Sequence, residues 1–379
     1  MSHPRRLTMD LPDGRSAFLW GARQTGKTTW LKQTFPDGFF YDLLDSSVML
    51  RLAGNPRLLG EELAARTNRS VVIIDEVQKL PVLLDEVHRL IESDGYSFIL
   101  CGSSARKLRR QGVNLLGGRA WRYAMYPLTF SEVTDFDLLT ALNNGLLPGV
   151  YGQPQYGRSL RAYVEDYLTQ EVFNEGLTRN VSAFSRFFDA LRFSHGELTN
   201  YSAIARDCSV DGKTVREYYQ ILVDTLLGYF VTPFSKRKGR QSITSTPKFY
   251  LFDVGVAGHV CRRSLADLAG SEFGKAFEHF ILMELVAYRD YCNRDFEINF
   301  WRTKSGLEVD FILAEGETAI EVKGRVRPSD LKSMRAFDDE FQPKHSVLVC
   351  NETTPRRLDK IDILPWRDFV SALWSGKIV

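Results

Sequence analysis

The chain has 379 residues, 44% hydrophobic and 25% charged, and its 49 basic and 47 acidic side chains leave a net charge of +2. That length allows two or three domains, and the balanced charge requires any nucleic-acid surface to be local. Five cysteines with no C-x-x-C pair argue against a disulfide framework or structural zinc site and suit a reducing, cytoplasmic setting.

Residues 1–16 read as a polar lead-in. They include Arg5 and Arg6 but lack the apolar stretch of a secretory signal. No apolar run approaches the ~18 residues of a membrane-spanning helix, so no membrane partner is expected. Residues 17–20 form a short strand, and Gly21-Ala22-Arg23-Gln24-Thr25-Gly26-Lys27-Thr28 follows without a gap. This is the G-x-x-x-x-G-K-[ST] pattern of a P-loop. Gly21 and Gly26 permit a tight turn that points backbone N–H groups at phosphates. Lys27 suits the β- and γ-phosphates of a nucleoside triphosphate, and the Thr28 hydroxyl suits Mg²⁺. The loop from Gly21 to Thr29 opens a helix whose positive end faces the same anion.

A second strand is expected at Phe39–Leu43, then a helical stretch from Leu50 to Arg66 interrupted at Gly54-Asn55-Pro56. Val71-Val72-Ile73-Ile74 reads as a strand buried on both faces of a parallel sheet, ending in Asp75 and Glu76. Acids at the carboxyl end of such a strand sit where α/β sheets bind ligands. They read as a Walker B pair, Asp75 for the metal shell and Glu76 for the attacking water. After a helix over Asp85–Glu92, the strand at Phe98–Cys101 ends in Gly102-Ser103-Ser104. Ser103 or Ser104 could bond the γ-phosphate or the water; small residues simply ending a strand read the same way. Arg119, outside the Gly117-Gly118 turn, is the candidate arginine finger toward a neighbour's nucleotide, with a surface salt bridge as the alternative.

This order of motifs resembles an AAA+-type P-loop ATPase. More specifically, Gly21 to Thr28, Ile74-Asp75-Glu76-Val77-Gln78 and Tyr126-Pro127-Leu128-Thr129-Phe130 resemble the bacterial and archaeal ATPases with a C-terminal DUF4143 domain. The resemblance covers almost the whole chain. It implies an α/β P-loop core, a helical and winged-helix middle, and an α/β restriction-endonuclease-like end whose cleavage activity is open.

Turn formers between Asn143 and Pro154 place the first domain boundary near residue 150. Residues 151–255 then form the helical and winged-helix domain, and 256–379 the nuclease-like domain. Helices are expected at Arg161–Asn174 and Val181–Ser194. Tyr201–Asp207, a four-residue turn and Gly212–Leu222 have helix-turn-helix spacing. The strands Tyr229–Phe234 and Lys248–Asp253 complete a winged helix. Its basic tip, Lys236, Arg237, Lys238 and Arg240, suits DNA phosphates, as do Lys213 and Arg216 on the second helix. A solvated tip on a protein-binding module is the alternative.

Glu272–Arg289 reads as a helix carrying Glu278 among apolar residues. Glu308–Leu313 and Thr318–Lys323 read as a hairpin. If Leu313 pairs with Thr318, Asp310 falls opposite Glu321 and Glu308 opposite Lys323, all on one face. Asp310, Glu321 and Lys323, with Glu278 nearby, match a PD-(D/E)xK constellation and a second candidate metal site. Pro328–Phe341, Ser346–Cys350 and Trp366–Ser375 complete that layer.

The expected function is ATP-dependent engagement or remodelling of DNA, with branched DNA as one candidate. A finger acting in trans would require a ring or at least a homodimer. A nucleotide-switched assembly protein and an ATP-gated metal-dependent nuclease are the alternatives.

Overall fold

Short apolar runs ending in polar turns build the N-terminal sheet of the computed structural model, which describes residues 3–379 except 13, 69, 104–105, 107, 109–115, 169–180 and 236–245. The chain forms two compact units, residues 1–127 with 222–227, and residues 128–221 with 228–379. Its mixed α/β character and parallel N-terminal sheet match expectation.

In the first unit, β1 (Ser16–Trp20), β2 (Phe39–Asp42), β3 (Val72–Asp75), β4 (Phe98–Gly102) and β5 (Ala120–Ala124) form a sheet ordered β2-β3-β4-β1-β5. Every pairing is parallel. β1, β3 and β4 are buried along their whole length, as a sheet covered on both faces requires. Helices α1 (Lys27–Thr34), α2 (Ser46–Gly54), α3 (Leu58–Ala64) and α4 (Leu83–Asp94) lie between the strands in sequence. α2 starts earlier than its apolar pattern indicates, because the Asp45 carboxylate caps it by accepting from Ser47 N at 2.8 Å. β5 is an additional strand. Its Trp121 and Arg122 are exposed, so it carries little apolar signal and is defined by its register with β1.

That register positions the chemistry. Trp20 pairs with Gly102 and Asp42 with Asp75, so the loops after β1, β3 and β4 leave from one edge of the sheet. Ser16 pairs with Ala120, which places Arg119 at the opposite edge.

The second unit contains α5 (Leu138–Asn144), α6 (Tyr156–Ala162), a π-helical turn at Tyr163–Leu168, and α7 (Val181–Ser194). The expected helix through Asn174 runs beyond the described residues after Leu168. Then come α8 (Tyr201–Cys208), α9 (Gly212–Asp224), β6 (Gly228–Pro233), β7 (Lys248–Leu251), α10 (Val254–Val260) and α11 (Gly270–Tyr291). The last turn of α9 groups with the first unit. The chain closes with β8 (Ile298–Arg302), β9 (Glu308–Leu313), β10 (Thr318–Lys323), α12 (Leu331–Phe341), β11 (His345–Cys350), β12 (Arg356–Leu358), β13 (Ile361–Pro365) and α13 (Trp366–Trp374).

Helices α8 and α9 precede the paired strands β6 and β7, which are part of a larger sheet. β6 pairs antiparallel with β7 and parallel with β8, giving the order β12-β13-β11-β10-β9-β8-β6-β7. β7, the C-terminal arm of the wing, is therefore the edge strand of the sheet that carries β9 and β10.

Beside β7 lie two buried imidazoles, His195 and His279, with ring centroids 4.8 Å apart. Leu251 N donates to His195 Nε2 at 3.1 Å, and His279 Nε2 donates to Leu251 O at 2.6 Å. Burial, with Arg263 adding, pushes His279 down to about 3. Burial and its partner hold His195 well below the ordinary range. The folded chain thus refuses protons that the unfolded chain binds below about pH 6.5. Stability should therefore fall as pH drops from 6.5 toward 3, by up to about 1.4 kcal/mol per pH unit for each imidazole. Urea midpoints measured at pH 7.5, 6 and 5 should show that fall, and His279→Gln should shallow the pH slope relative to wild type.

Candidate functional site

The loop after β1 is shaped by two glycines for different reasons. Gly26 has φ 92°, a left-handed conformation, and caps α1. At Gly21 the constraint is space, because a Cβ there would overlap the Met125 carbonyl oxygen. α1 has no side-chain cap and no acid in its first turn, so its N-terminal N–H groups are left for an anion. Lys27 is buried, and its Nζ donates to Gly21 O at 2.7 Å and Ala22 O at 3.0 Å. Thr25 Oγ1 donates to Ala22 O at 2.8 Å. The N-terminal lead-in proves to be a brace. Arg5 donates to Thr25 O at 2.7 Å and to Tyr126 O at 2.5 Å, tying the loop to the segment after β5. A lone arginine in a polar stretch offers no sequence signal for that role.

Thr28 Oγ1 donates to Asp75 Oδ2 at 2.5 Å, joining the loop to the end of β3. Asp75 Oδ1 accepts from Glu76 N at 2.9 Å. Glu76 has φ 56° and ψ 41°, a left-handed conformation that costs a non-glycine residue of order 1–3 kcal/mol. Its carboxylate accepts from Gln78 Nε2 at 2.6 Å, and the same nitrogen lies 3.0 Å from Ser103 Oγ. Gln78 is the connector between two candidate catalytic side chains. Burial pushes the Glu76 carboxyl up, against the lowering pull of Lys27 and Arg23. The neighbouring Ser104 lies outside the described residues.

Arg119 bonds to the Glu92 carboxylate, and both side chains are exposed. From the opposite sheet edge it faces away from its own P-loop.

In the second unit, Arg216 and Lys213 are exposed on α9, and the Arg216 guanidinium lies 5.0 Å from the centre of the Tyr201 ring. The tip residues Lys236, Arg237, Lys238 and Arg240 lie outside the described residues. The β9–β10 ladder runs from Leu313↔Thr318 to Phe311↔Ile320 as anticipated. Beyond it, side chains bond the strands. Val322 N donates to Asp310 Oδ2 at 2.8 Å, and Asp310 N to Glu321 Oε2 at 3.3 Å. Lys323 Nζ lies 2.5 Å from Glu321 Oε1 and 3.5 Å from Asp310 Oδ2. Glu308 differs from expectation. Its carboxylate is bound by Lys248 at 2.5 Å and Arg302 at 3.0 Å rather than by Lys323. Glu278 accepts from Tyr250 OH at 2.5 Å and lies 3.3 Å from Lys248 Nζ. Lys248 and Tyr250 carry no sequence signal for this cluster, because their strand lies far along the chain from β9 and β10.

The two carboxylate groups differ in their fit to a metal ion. Thr28 and Asp75 converge as a hydroxyl and a carboxylate, a donor pair that suits a Mg²⁺ retaining waters and phosphate oxygens. Among the described residues no three His, Cys, Asp or Glu side chains are arranged to hold a metal.

Residues 13–134 match the model of an AAA domain, 135–267 that of a domain of unknown function, DUF8612, and 273–369 that of DUF4143, also of unknown function. The chain thus carries an AAA-type domain and a C-terminal DUF4143 domain. It is 26% identical to the uncharacterized protein Rv2008c of Mycobacterium tuberculosis over 361 residues, covering 91% of this chain and 78% of that protein. Mb2031c of Mycobacterium bovis gives the same figures. An uncharacterized Haemophilus influenzae protein is 20% identical over 287 residues, 70% of this chain and 68% of its own length.

Packing around Gln78 can be tested directly. A Cβ at Gly102 would overlap Gln78 Oε1 and lie 2.8 Å from the Trp20 ring. Gly102→Ala should cost roughly 1–3 kcal/mol, measured as a lowered urea midpoint, because the carboxamide must leave its place between Glu76 and Ser103.

Proposed function

We propose that the chain hydrolyses ATP and uses the cycle to engage or remodel DNA. One observation carries the ATPase reading: the bond from Thr28 to Asp75, with Lys27 and Glu76 beside it at the same sheet edge. Water attacks the γ-phosphorus, the bond to the ADP oxygen breaks, and ADP and phosphate leave. The backbone from Gly21 to Thr29 cradles the phosphates, and Lys27 exchanges its loop carbonyls for β- and γ-phosphate oxygens. Thr28 and Asp75 would hold Mg²⁺, which supplies charge neutralisation at the β- and γ-oxygens. Glu76 orients the water and accepts its proton, while Ser103 and Gln78 keep the carboxylate aimed. Arg119 serves a neighbouring subunit, which makes the active form a dimer or ring.

DNA enters through the second unit. Exposed Lys213 and Arg216 occupy α9, and the basic run from Lys236 to Arg240 falls between β6 and β7 in the sequence. Each phosphate contact should contribute to a salt-dependent affinity.

Lys27→Ala should abolish both ATP binding and hydrolysis. Glu76→Gln should keep ATP binding while lowering kcat at least ~100-fold, the range of a lost general base. Because burial raises the Glu76 carboxyl, the acid limb of the kcat profile should lie above the usual carboxylate range, with activity lost as pH falls. Gln78→Leu should lower kcat roughly tenfold or more with little change in KM, since it touches the base and not the nucleotide.

ATPase rates with single-stranded, duplex and junction DNA test the coupling. Stimulation by one of them, with a DNA affinity whose salt slope flattens in a Lys236→Glu, Arg237→Glu, Lys238→Glu variant, is the expected result. An unstimulated ATPase with no DNA affinity would favour a nucleotide-switched assembly protein.

A further inference from the structure

The carboxylate cluster of the second unit already contains its cations. Lys248 stands on β7 in register with Val231 of β6, so a ladder fixes its backbone. Its side chain is 5% exposed and its ammonium lies 5.4 Å from the centre of the Phe300 ring. From there it reaches Glu308 Oε1 at 2.5 Å and Glu278 Oε1 at 3.3 Å. Tyr250, two residues along β7, bonds the same Glu278 oxygen. Lys323 pairs with Asp310 and Glu321, and Arg302 takes the second oxygen of Glu308. Each of the four carboxylates therefore touches a cationic side chain.

The two lysines differ in freedom. Lys323 is 33% exposed and can swing toward solvent. Lys248 has no such exit, being walled by Phe300 and held by a paired strand. A divalent ion drawing on Glu278 would have to share that carboxylate with a buried ammonium. Mg²⁺ also demands near-octahedral oxygens at about 2.0–2.1 Å. Six of the eight carboxylate oxygens here meet ammonium, guanidinium, phenol or backbone donors instead, both oxygens of Glu308 and Glu321 among them.

We infer that Lys248 is the resident cation of this centre, bridging Glu278 and Glu308 in place of a divalent ion, so that the centre does not cleave phosphodiesters by metal-assisted chemistry. Its complete set of acidic and lysine positions serves a metal-independent ion-pair centre that joins the wing strand β7 to α11, β9 and β10. This assignment is independent of whether the first unit hydrolyses ATP.

Mn²⁺ binding to the full-length chain, followed by electron paramagnetic resonance, tests it. An Asp75→Asn background removes the ligand near the P-loop. In that background no Mn²⁺ should bind below millimolar concentration, and adding Asp310→Asn should change nothing. Adding Lys248→Met should create one site, with affinity at least tenfold tighter, and Asp310→Asn should abolish it again. Submillimolar binding in Asp75→Asn that Asp310→Asn removes would overturn the inference. So would a folded Lys248→Met protein that gains no site. Losing one partner of a buried pair is destabilising. If Lys248→Met fails to fold, the comparison of Asp75→Asn with and without Asp310→Asn decides alone. Plasmid nicking with Mn²⁺ gives a second readout: none is expected, and nicking abolished by Asp310→Asn would overturn the inference.

Discussion

The first unit depends on a single short hydrogen bond, from Thr28 Oγ1 to Asp75 Oδ2. It forms only because β1 and β3 end at the same edge, separated by β4. A one-residue slip of β3 would turn Asp75 to the other face and present Ile74 in its place. Strand alternation should also send Glu76 away from Asp75. The left-handed backbone at Glu76 breaks that alternation after Asp75. Backbone strain at one residue thus brings the second carboxylate to Gln78 and Ser103.

The second unit meets the same problem, buried carboxylates, with the opposite means. Desolvation costs several kcal/mol per ion, against roughly 4 kcal/mol of attraction per close pair at an effective dielectric constant of 20. Such a cluster is weak as a source of stability and strong as a specification of geometry. Lys248 meets Glu278 and Glu308 only when β7, α11 and β9 are placed together. The β6–β7 hairpin is therefore held to the rest of its sheet by charge as well as by the β6–β8 ladder.

Local chemistry was legible in the sequence wherever one segment carried it. The P-loop, the apolar run ending in Asp75 and the β9–β10 turn are each written within a dozen residues, and the Leu313–Thr318 register followed from counting. What stayed hidden required two distant segments. Arg5 braces a loop carbonyl twenty residues away, β5 is a strand because of β1, and Lys248 reaches carboxylates on another hairpin. Glu308 shows the limit of counting most clearly. The face was right, but a lysine from β7 and an arginine from β8 took the carboxylate that a two-strand picture assigns to Lys323. Gln78 carries no sequence signal, since an amide two residues past a carboxylate has no distinctive spacing.

Counter-charge separates the two carboxylate sites more sharply than sequence pattern does. Asp75 is held by neutral donors, a hydroxyl and a backbone N–H, which orient its charge without cancelling it. A site built that way gains from an added cation and, with Lys27 and the N-terminus of α1 nearby, from the anion that accompanies it. Glu278, Glu308, Asp310 and Glu321 are met by ammonium and guanidinium groups supplied by the chain itself. Adding a divalent ion there means displacing a cation, and the Lys248 side chain is buried. A complete PD-(D/E)xK pattern therefore does not determine metal binding. The decisive variable is whether the nearest cation can leave, and burial on a paired strand keeps Lys248 in place.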